Sequence, residues 1–386
     1  MSLHSSRLFT LPARAASRRT RQWLAGLWTL ALIAGQFGVA VPTAHAEATA
    51  IQRGAYTEYA VPNGPRNLAV EAPGVVWFTA SDVDPNGVVG EGVVGAIVRV
   101  SPPGDPVVRY RVDYFGMGRG SEPYDLDVRG GAVWFTLRGA GQIGRIDIAT
   151  RDVQVYPIPT PASRPTGIGI AADGQVWFAE NTGALGKFDP ASGVFTRYAF
   201  PAGLFNAPYV EQLRVQNARN IWFTLPESNA VGNFNPITGQ FFVVPTGEQA
   251  PTGLALDDAG RPWVTARGSG AVGRYAPGTV SQWAWFSASA PDSAPTGITT
   301  FNTPEGREVW FAESNLAAVG RLVTTGFRLD RRETLPLAIG EPGRPWGVVV
   351  DGEQHIWIAD MERNVIYETV VPIPRYFPVI GKSSVS

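Results

Sequence analysis

Residues 164–180 read Arg-Pro-Thr-Gly-Ile-Gly-Ile-Ala-Ala-Asp-Gly-Gln-Val-Trp-Phe-Ala-Glu, and the run continues through Leu185-Gly186-Lys187-Phe188-Asp189-Pro190 to Phe195-Thr196-Arg197-Tyr198. Four short β-like segments lie in this stretch, separated by turn residues such as Asp173-Gly174. The same order recurs along the chain, with a tryptophan at the same point of each copy: Trp77, Trp134, Trp177, Trp222, Trp263, Trp310 and Trp357. The intervals are 57, 43, 45, 41, 47 and 47 residues. A period in the forties with four strands per copy predicts an all-β, seven-bladed β-propeller of four-stranded antiparallel blades. Strand A follows a Pro, strand B carries the Trp, strand C holds a Gly-Arg/Lys-hydrophobic element such as Gly320-Arg321-Leu322, and strand D runs to the next Pro. The repeated Trp is expected to pack between neighbouring blades.

The two ends of the repeat are complementary. Tyr56 to Pro62 reads as a D strand with no A, B or C before it, and the copy from Trp346 has A, B and C but no convincing D. The N-terminal strand is therefore expected to complete the last blade and cover its open edge. The propeller is assigned to residues 47–373 and a C-terminal tail to 374–386. The extra length of the first copy is assigned to a B–C loop from Ser81 to Val94.

Residues 1–46 read as an export signal. Arg14, Arg18, Arg19 and Arg21 precede a mostly apolar stretch from Trp23 to Val41, and Ala44-His45-Ala46 supplies a small-x-small cleavage pattern. Ser17-Arg18-Arg19 followed by Trp23-Leu24 partly matches a twin-arginine signal, so export by Tat or Sec is expected, to the periplasm or the cell exterior. An uncleaved membrane anchor is the competing reading of the same stretch. After signal removal no membrane association is expected.

Composition bounds the chemistry. The chain has 44 Gly, 32 Pro and no Cys, so thiol nucleophiles, disulfides and Cys-ligated zinc are excluded. A net charge of −1 offers no general attraction to nucleic acid. A monomer is expected, since a closed propeller leaves no edge to pair.

Antiparallel order gathers two repeat positions around one mouth of the central channel. One is the residue after the leading Pro: Arg66, Tyr124, Thr166, Tyr209, Thr252, Thr296 and Trp346. The other ends strand B: Ala80, Leu137, Glu180, Leu225, Ala266, Glu313 and Asp360. Arg66, Tyr124, Thr166, Tyr209, Thr296, Arg344 and Trp346 are the candidate ligand-binding residues, an aromatic and polar rim suited to an organic ligand. Glu313 and Asp360 are the candidates for catalysis and for holding Mg²⁺ or Ca²⁺, with hydrogen bonds to backbone amides as the structural alternative. His355, the only histidine after residue 46, follows Asp351-Gly352-Glu353-Gln354 and reads as an exposed turn residue on the opposite face.

The repeated Pro-x-Gly-hydrophobic, Asp-Gly-x-x-Trp-Phe-x-Glu and Gly-Arg-hydrophobic pattern resembles the streptogramin B lyase (virginiamycin B lyase) family, most clearly over Pro165–Pro190 and Pro295–Arg321. The resemblance covers nearly all of residues 55–370 and implies a seven-bladed propeller. It also implies ring opening of a cyclic depsipeptide by elimination, with histidines at strand-A starts of the last two blades and a Mg²⁺-linked Glu after strand B. The matching positions here are Thr296 and Trp346, with Asp360 for the glutamate, Arg344 where the family is acidic, and Arg363 for a further His. An exported lyase-like propeller that binds a small molecule or peptide without the histidine-based reaction is the leading expectation. The alternatives are a metal-dependent lyase using another base such as Glu313, a metal-dependent lactonase drawing on Glu180, Asn181, Asn229 and Asp360, and a protein-interaction propeller using its rim.

Overall fold

A computed structural model describes residues 43–370, apart from 54–55, 62, 84–88, 101–108, 206–207, 248, 279–281, 305 and 338–341. The basic and apolar parts of the expected export signal, and the tail, lie outside the described residues. Among the described residues no helix is long and apolar enough to cross a membrane.

The chain folds into seven antiparallel sheets, each with its strands in the order A, B, C, D. In blade three these are Pro165–Ile170, Val176–Glu180, Ala184–Asp189 and Val194–Ala199. The A strands line a central channel of about 420 Å³. Strands A to C are mostly buried, whereas strand D of blade three alternates between half-buried and exposed residues, as an outer edge facing water should.

Two short-range contacts explain why the repeat takes this form. In blades one to four and six the strand-C Gly lies under the ring of the Phe that follows the strand-B Trp. A side chain at Gly144, Gly186, Gly232 or Gly320 would overlap Phe135, Phe178, Phe223 or Phe311. In blade five, where Val264 follows Trp263, the ring against Gly273 is instead Trp285 from strand D. The second contact is between blades. Every repeated Trp sits in a buried cluster with residues of the following blade, for example Trp177 with Leu213 and Ile221, and Trp310 with Val348 and Ile358. The clusters are one per seam, and the last joins Trp357 to Leu68 and Val76 of blade one. Burying an indole removes roughly 150–250 Å² from water, worth about 4–6 kcal/mol per seam before entropy.

In blade seven, in the same sheet as Pro345–Val350 and His355–Asp360, Val365–Val370 pairs antiparallel to Tyr56–Ala60. Tyr59 of that strand packs against Trp357 at 5.3 Å and against Tyr110 of blade one at 4.7 Å between ring centroids. Two sheets carry a fifth, outer strand. Ile51–Arg53 extends blade seven, and Thr43–Thr49 pairs along Arg109–Phe115 of blade one. The expected cleavage pattern at Ala44–Ala46 falls within this second strand.

The long first copy differs from expectation. Its B and C strands run through Val75–Val83 and Val89–Arg99, with Ser81 paired to Gly92 and Val83 to Val89. Most of the segment read as a loop is thus a longer hairpin.

Candidate functional site at the channel mouth

Strand A begins with a bulge in six blades: pairing shifts between the leading Pro and the residue three further on. The bulge frees the intervening residues from the ladder and places them at the channel mouth. Blade four lacks it. There Gln212 N donates to Thr224 Oγ1, as Asn67 N does to Thr79 Oγ1 and Asp125 N to Thr136 Oγ1 in blades one and two. The residue at the mouth of blade four is therefore Glu211, and Tyr209, assigned to that position from the sequence, lies two residues earlier.

Glu211 is the centre of the site. Tyr124 and Tyr209 each donate a 2.5 Å hydrogen bond, to Oε1 and Oε2 respectively, and the two phenols lie 3.0 Å apart. Arg66, from blade one, reaches Tyr124 Oη at 3.0 Å and Glu211 Oε1 at 3.4 Å. The Arg66–Glu211 pair joins blades that are not neighbours, so it bridges the channel. A second bridge, Arg214 to Asp125 at 3.3 Å, joins blades four and two. Burial raises the Tyr209 phenol to about 12, and Glu211 pushes the same way. Tyr124, fully enclosed, is raised well above the usual phenol range, chiefly by burial. Both phenols are thus hydrogen-bond donors at neutral pH, not bases.

Arginines surround this core. Arg66 lies over the Trp346 ring at 4.4 Å, with Arg267 and Arg344 at 5.8 and 5.9 Å from the same centroid. Arg138 lies over Tyr124 at 4.6 Å and pairs with Glu122, which Arg164 approaches at 4.0 Å. Glu122 and Arg164 precede their leading prolines and have left-handed backbones, φ 54° and 44°, which turn the chain sharply into strand A.

Arg66, Tyr124, Tyr209, Arg344 and Trp346 are thus brought together. Thr166 and Thr296 are buried, and their hydroxyls are engaged between blades, on Val210 O at 2.6 Å and Trp346 O at 3.2 Å. Glu122, Arg138, Arg267 and Glu211 were missed by the sequence reading.

The strand-B carboxylates have separate partners. Glu313 accepts from Ser289 N and Ser289 Oγ at 2.9 and 2.6 Å, using both oxygens. Glu180 pairs with Arg197 at 3.3 Å and with Thr182, within its own blade. Asp360 Oδ1 accepts from Arg344 N, Glu362 N and Arg363 N, while Oδ2 is buried without a hydrogen-bond partner. Burial raises the Asp360 carboxyl, and these backbone bonds oppose the shift. No three Asp, Glu or His side chains stand together as a metal site among the described residues. One free carboxylate oxygen is a poor fit to a hard cation that needs six or more oxygen ligands.

His355 is not the exposed turn residue expected. It opens strand B of blade seven, with its side chain 12% exposed and Nδ1 2.7 Å from Glu368 Oε1. Glu368 also accepts from Tyr59 at 2.5 Å and pairs with Arg99 of blade one. Hydrogen bonding to Glu368 raises the imidazole pKa, against burial.

These features define a seven-bladed propeller with an arginine-rich mouth bridged by a buried glutamate. The family description that matches is the virginiamycin B lyase family, over residues 39–236 and 94–369, and the chain belongs to that family. Among solved structures it is similar to a streptogramin B lyase, at 22% identity and TM-score 0.66, covering 84% of this chain and 97% of that one. It is likewise similar to a catalytically inactive virginiamycin B lyase from Staphylococcus aureus with quinupristin, at 23% identity and TM-score 0.65, covering 86% and 100%. A third similar structure is YCF48 bound to D1 peptide, at 13% identity and TM-score 0.58, covering 85% and 99%. No curated protein matches this chain.

Proposed function

We propose that this chain is an exported propeller that binds a small organic molecule or peptide at the channel mouth and lacks histidine-dependent elimination. The observation that carries the reading is the chemistry at the two positions where the resemblance calls for histidine. Thr296 offers a buried hydroxyl tied to the next blade, and Trp346 an indole beneath guanidinium groups. Neither can take a proton from carbon at neutral pH, and loss of a general base typically costs about 10²–10⁴ in rate. His355 does not replace them, because it is committed to the Glu368 cluster at the A–B turn end of its strand.

Binding at the mouth is supported by the aromatic and polar lining, and by the peptide and quinupristin complexes formed by proteins of the same fold. The site is built by one chain, and a monomer in the periplasm or outside the cell is the state in which it acts.

A second reading rests on Asp360, whose buried free oxygen and raised carboxyl are features of a general base. One experiment separates the two. The protein is incubated with quinupristin, with and without Mg²⁺, and the products are followed by chromatography and mass spectrometry. The proposal predicts unchanged cyclic compound. A linear isomer of equal mass, absent with Asp360→Asn, would establish the second reading.

A further inference from the structure

The mouth carries more positive charge than its own carboxylates match. Five guanidinium groups, those of Arg66, Arg138, Arg164, Arg267 and Arg344, lie with the carboxylates of Glu122, Glu211 and Asp360, the last accepting from Arg344 N, an excess of two. Arg138 and Arg164 share Glu122, and Arg66 faces Glu211. Among the described residues neither Arg267 nor Arg344 makes an ion pair; each guanidinium faces the Trp346 ring. Both are exposed, while Trp346 beneath them is buried. The chain as a whole has a net charge of −1, so this concentration of charge is local.

From this arrangement we infer that the ligand bound at the mouth is an organic polycarboxylate, held by Arg267 and Arg344 with Arg66 beside them. The assignment rests on the binding role proposed above and names its ligand class. Guanidinium groups present a planar fork that meets a carboxylate with two parallel hydrogen bonds. Glu211 already shows how the mouth receives such a group: two phenol donors and a guanidinium surround its carboxylate. The free arginines share the Trp346 ring with Arg66, at 5.8 and 5.9 Å from its centroid, so more than one guanidinium is within reach of a ligand there. Several guanidinium groups over one aromatic floor suit several carboxylates on one carbon framework.

The test is calorimetric titration of the full protein with trimesate (benzene-1,3,5-tricarboxylate), its neutral triamide and inorganic phosphate. Trimesate is expected to bind, more weakly as salt is added, and the double variant Arg267→Gln/Arg344→Gln should lower its affinity about tenfold or more, the scale of one lost charge-assisted bond. Both residues are exposed, so the variant should keep the wild-type melting temperature, which is measured alongside. Absence of trimesate binding, equal affinity in the double variant, or equal binding of the triamide overturns the assignment. Tighter binding of phosphate than of trimesate overturns it too. A neutral ligand such as quinupristin binding at the mouth, sensitive to Tyr209→Phe, while trimesate does not bind, would leave the binding role standing and remove only the polycarboxylate. Binding of neither ligand would remove both.

Discussion

At the scale of single residues, the account turns on Glu211. It is nearly buried, and three donors from three blades point at it: Arg66, Tyr124 and its own neighbour Tyr209. Removing a partner from such a cluster leaves the remaining polar groups desolvated and unmatched, which is why breaking a buried pair costs more than the pair itself contributes. Glu211→Ala should lower stability by about 3 kcal/mol, measured by urea denaturation. A loss below half of that would mean water enters the mouth freely. The residue was hidden in the sequence because Pro208-Tyr209 imitates the leading Pro-x pair of the other blades. A second count exposes it. In blades one, three, five and seven the first strand-A hydrophobe stands nine residues before the Trp, as Ile168 does before Trp177. Nine before Trp222 is Leu213, and the mouth position two residues earlier is Glu211. Arg267 gave no such signal, since it follows strand B at a point where nothing in the repeat marks it.

At the scale of elements, the blade pattern was readable because each of its marks has a packing cause. The strand-C Gly is required by the Phe ring above it, and the strand-B Trp by the seam with the next blade. Gly320→Ala should therefore destabilise the protein by about 1–3 kcal/mol, the usual cost of forcing atoms into a filled core. Gly174→Ala is the wrong comparison, because Gly174 has φ 85° and is strained by any side chain. Gly169 is the better control: it is on strand A, and a side chain there meets Val215 and Leu213 at 3.1 and 3.3 Å, contacts that can relax. Equal losses at Gly320 and Gly169 in urea would show that the Phe311 contact is not what selects glycine. The B–C segment of blade one was misjudged for the opposite reason. Its Gly- and Val-rich sequence suits a turn and a strand equally well, and only pairing across the hairpin decides between them.

At the scale of the whole ring, the seam between blades seven and one differs from the rest because three separate parts of the chain meet there. Glu368 is held below its usual carboxylate value although burial opposes this, by hydrogen bonds from His355 and Tyr59 and by Arg99. Tyr59 comes from the N-terminal strand, Arg99 from blade one, and Glu368 and His355 from blade seven. The signs fix a pH window. A raised histidine pKa contributes stability in full below its free value of 6.5 and loses it as pH rises through the folded value. A lowered glutamate contributes above its free value of 4.5 and loses it as pH falls through the folded value. The seam should be strongest from about 4.5 to 6.5 and weaken in alkali. His355→Gln should flatten the alkaline fall in melting temperature. An identical fall in variant and wild type would show that the histidine does not titrate with the seam.

Two features stand in contrast: the mouth is proposed to take carboxylate anions, and its own carboxylates, Asp360 Oδ2 apart, are engaged in the scaffold. Thermal unfolding of the protein puts both halves on one instrument, with chelator, with millimolar Mg²⁺ or Ca²⁺, and with trimesate at matched ionic strength. Any species that binds the native state alone raises the midpoint. The account predicts a rise with trimesate that Arg267→Gln/Arg344→Gln removes, and the same midpoint with chelator and with either cation. A rise with Mg²⁺ or Ca²⁺ that Asp360→Ala abolishes, together with no response to trimesate, would contradict it.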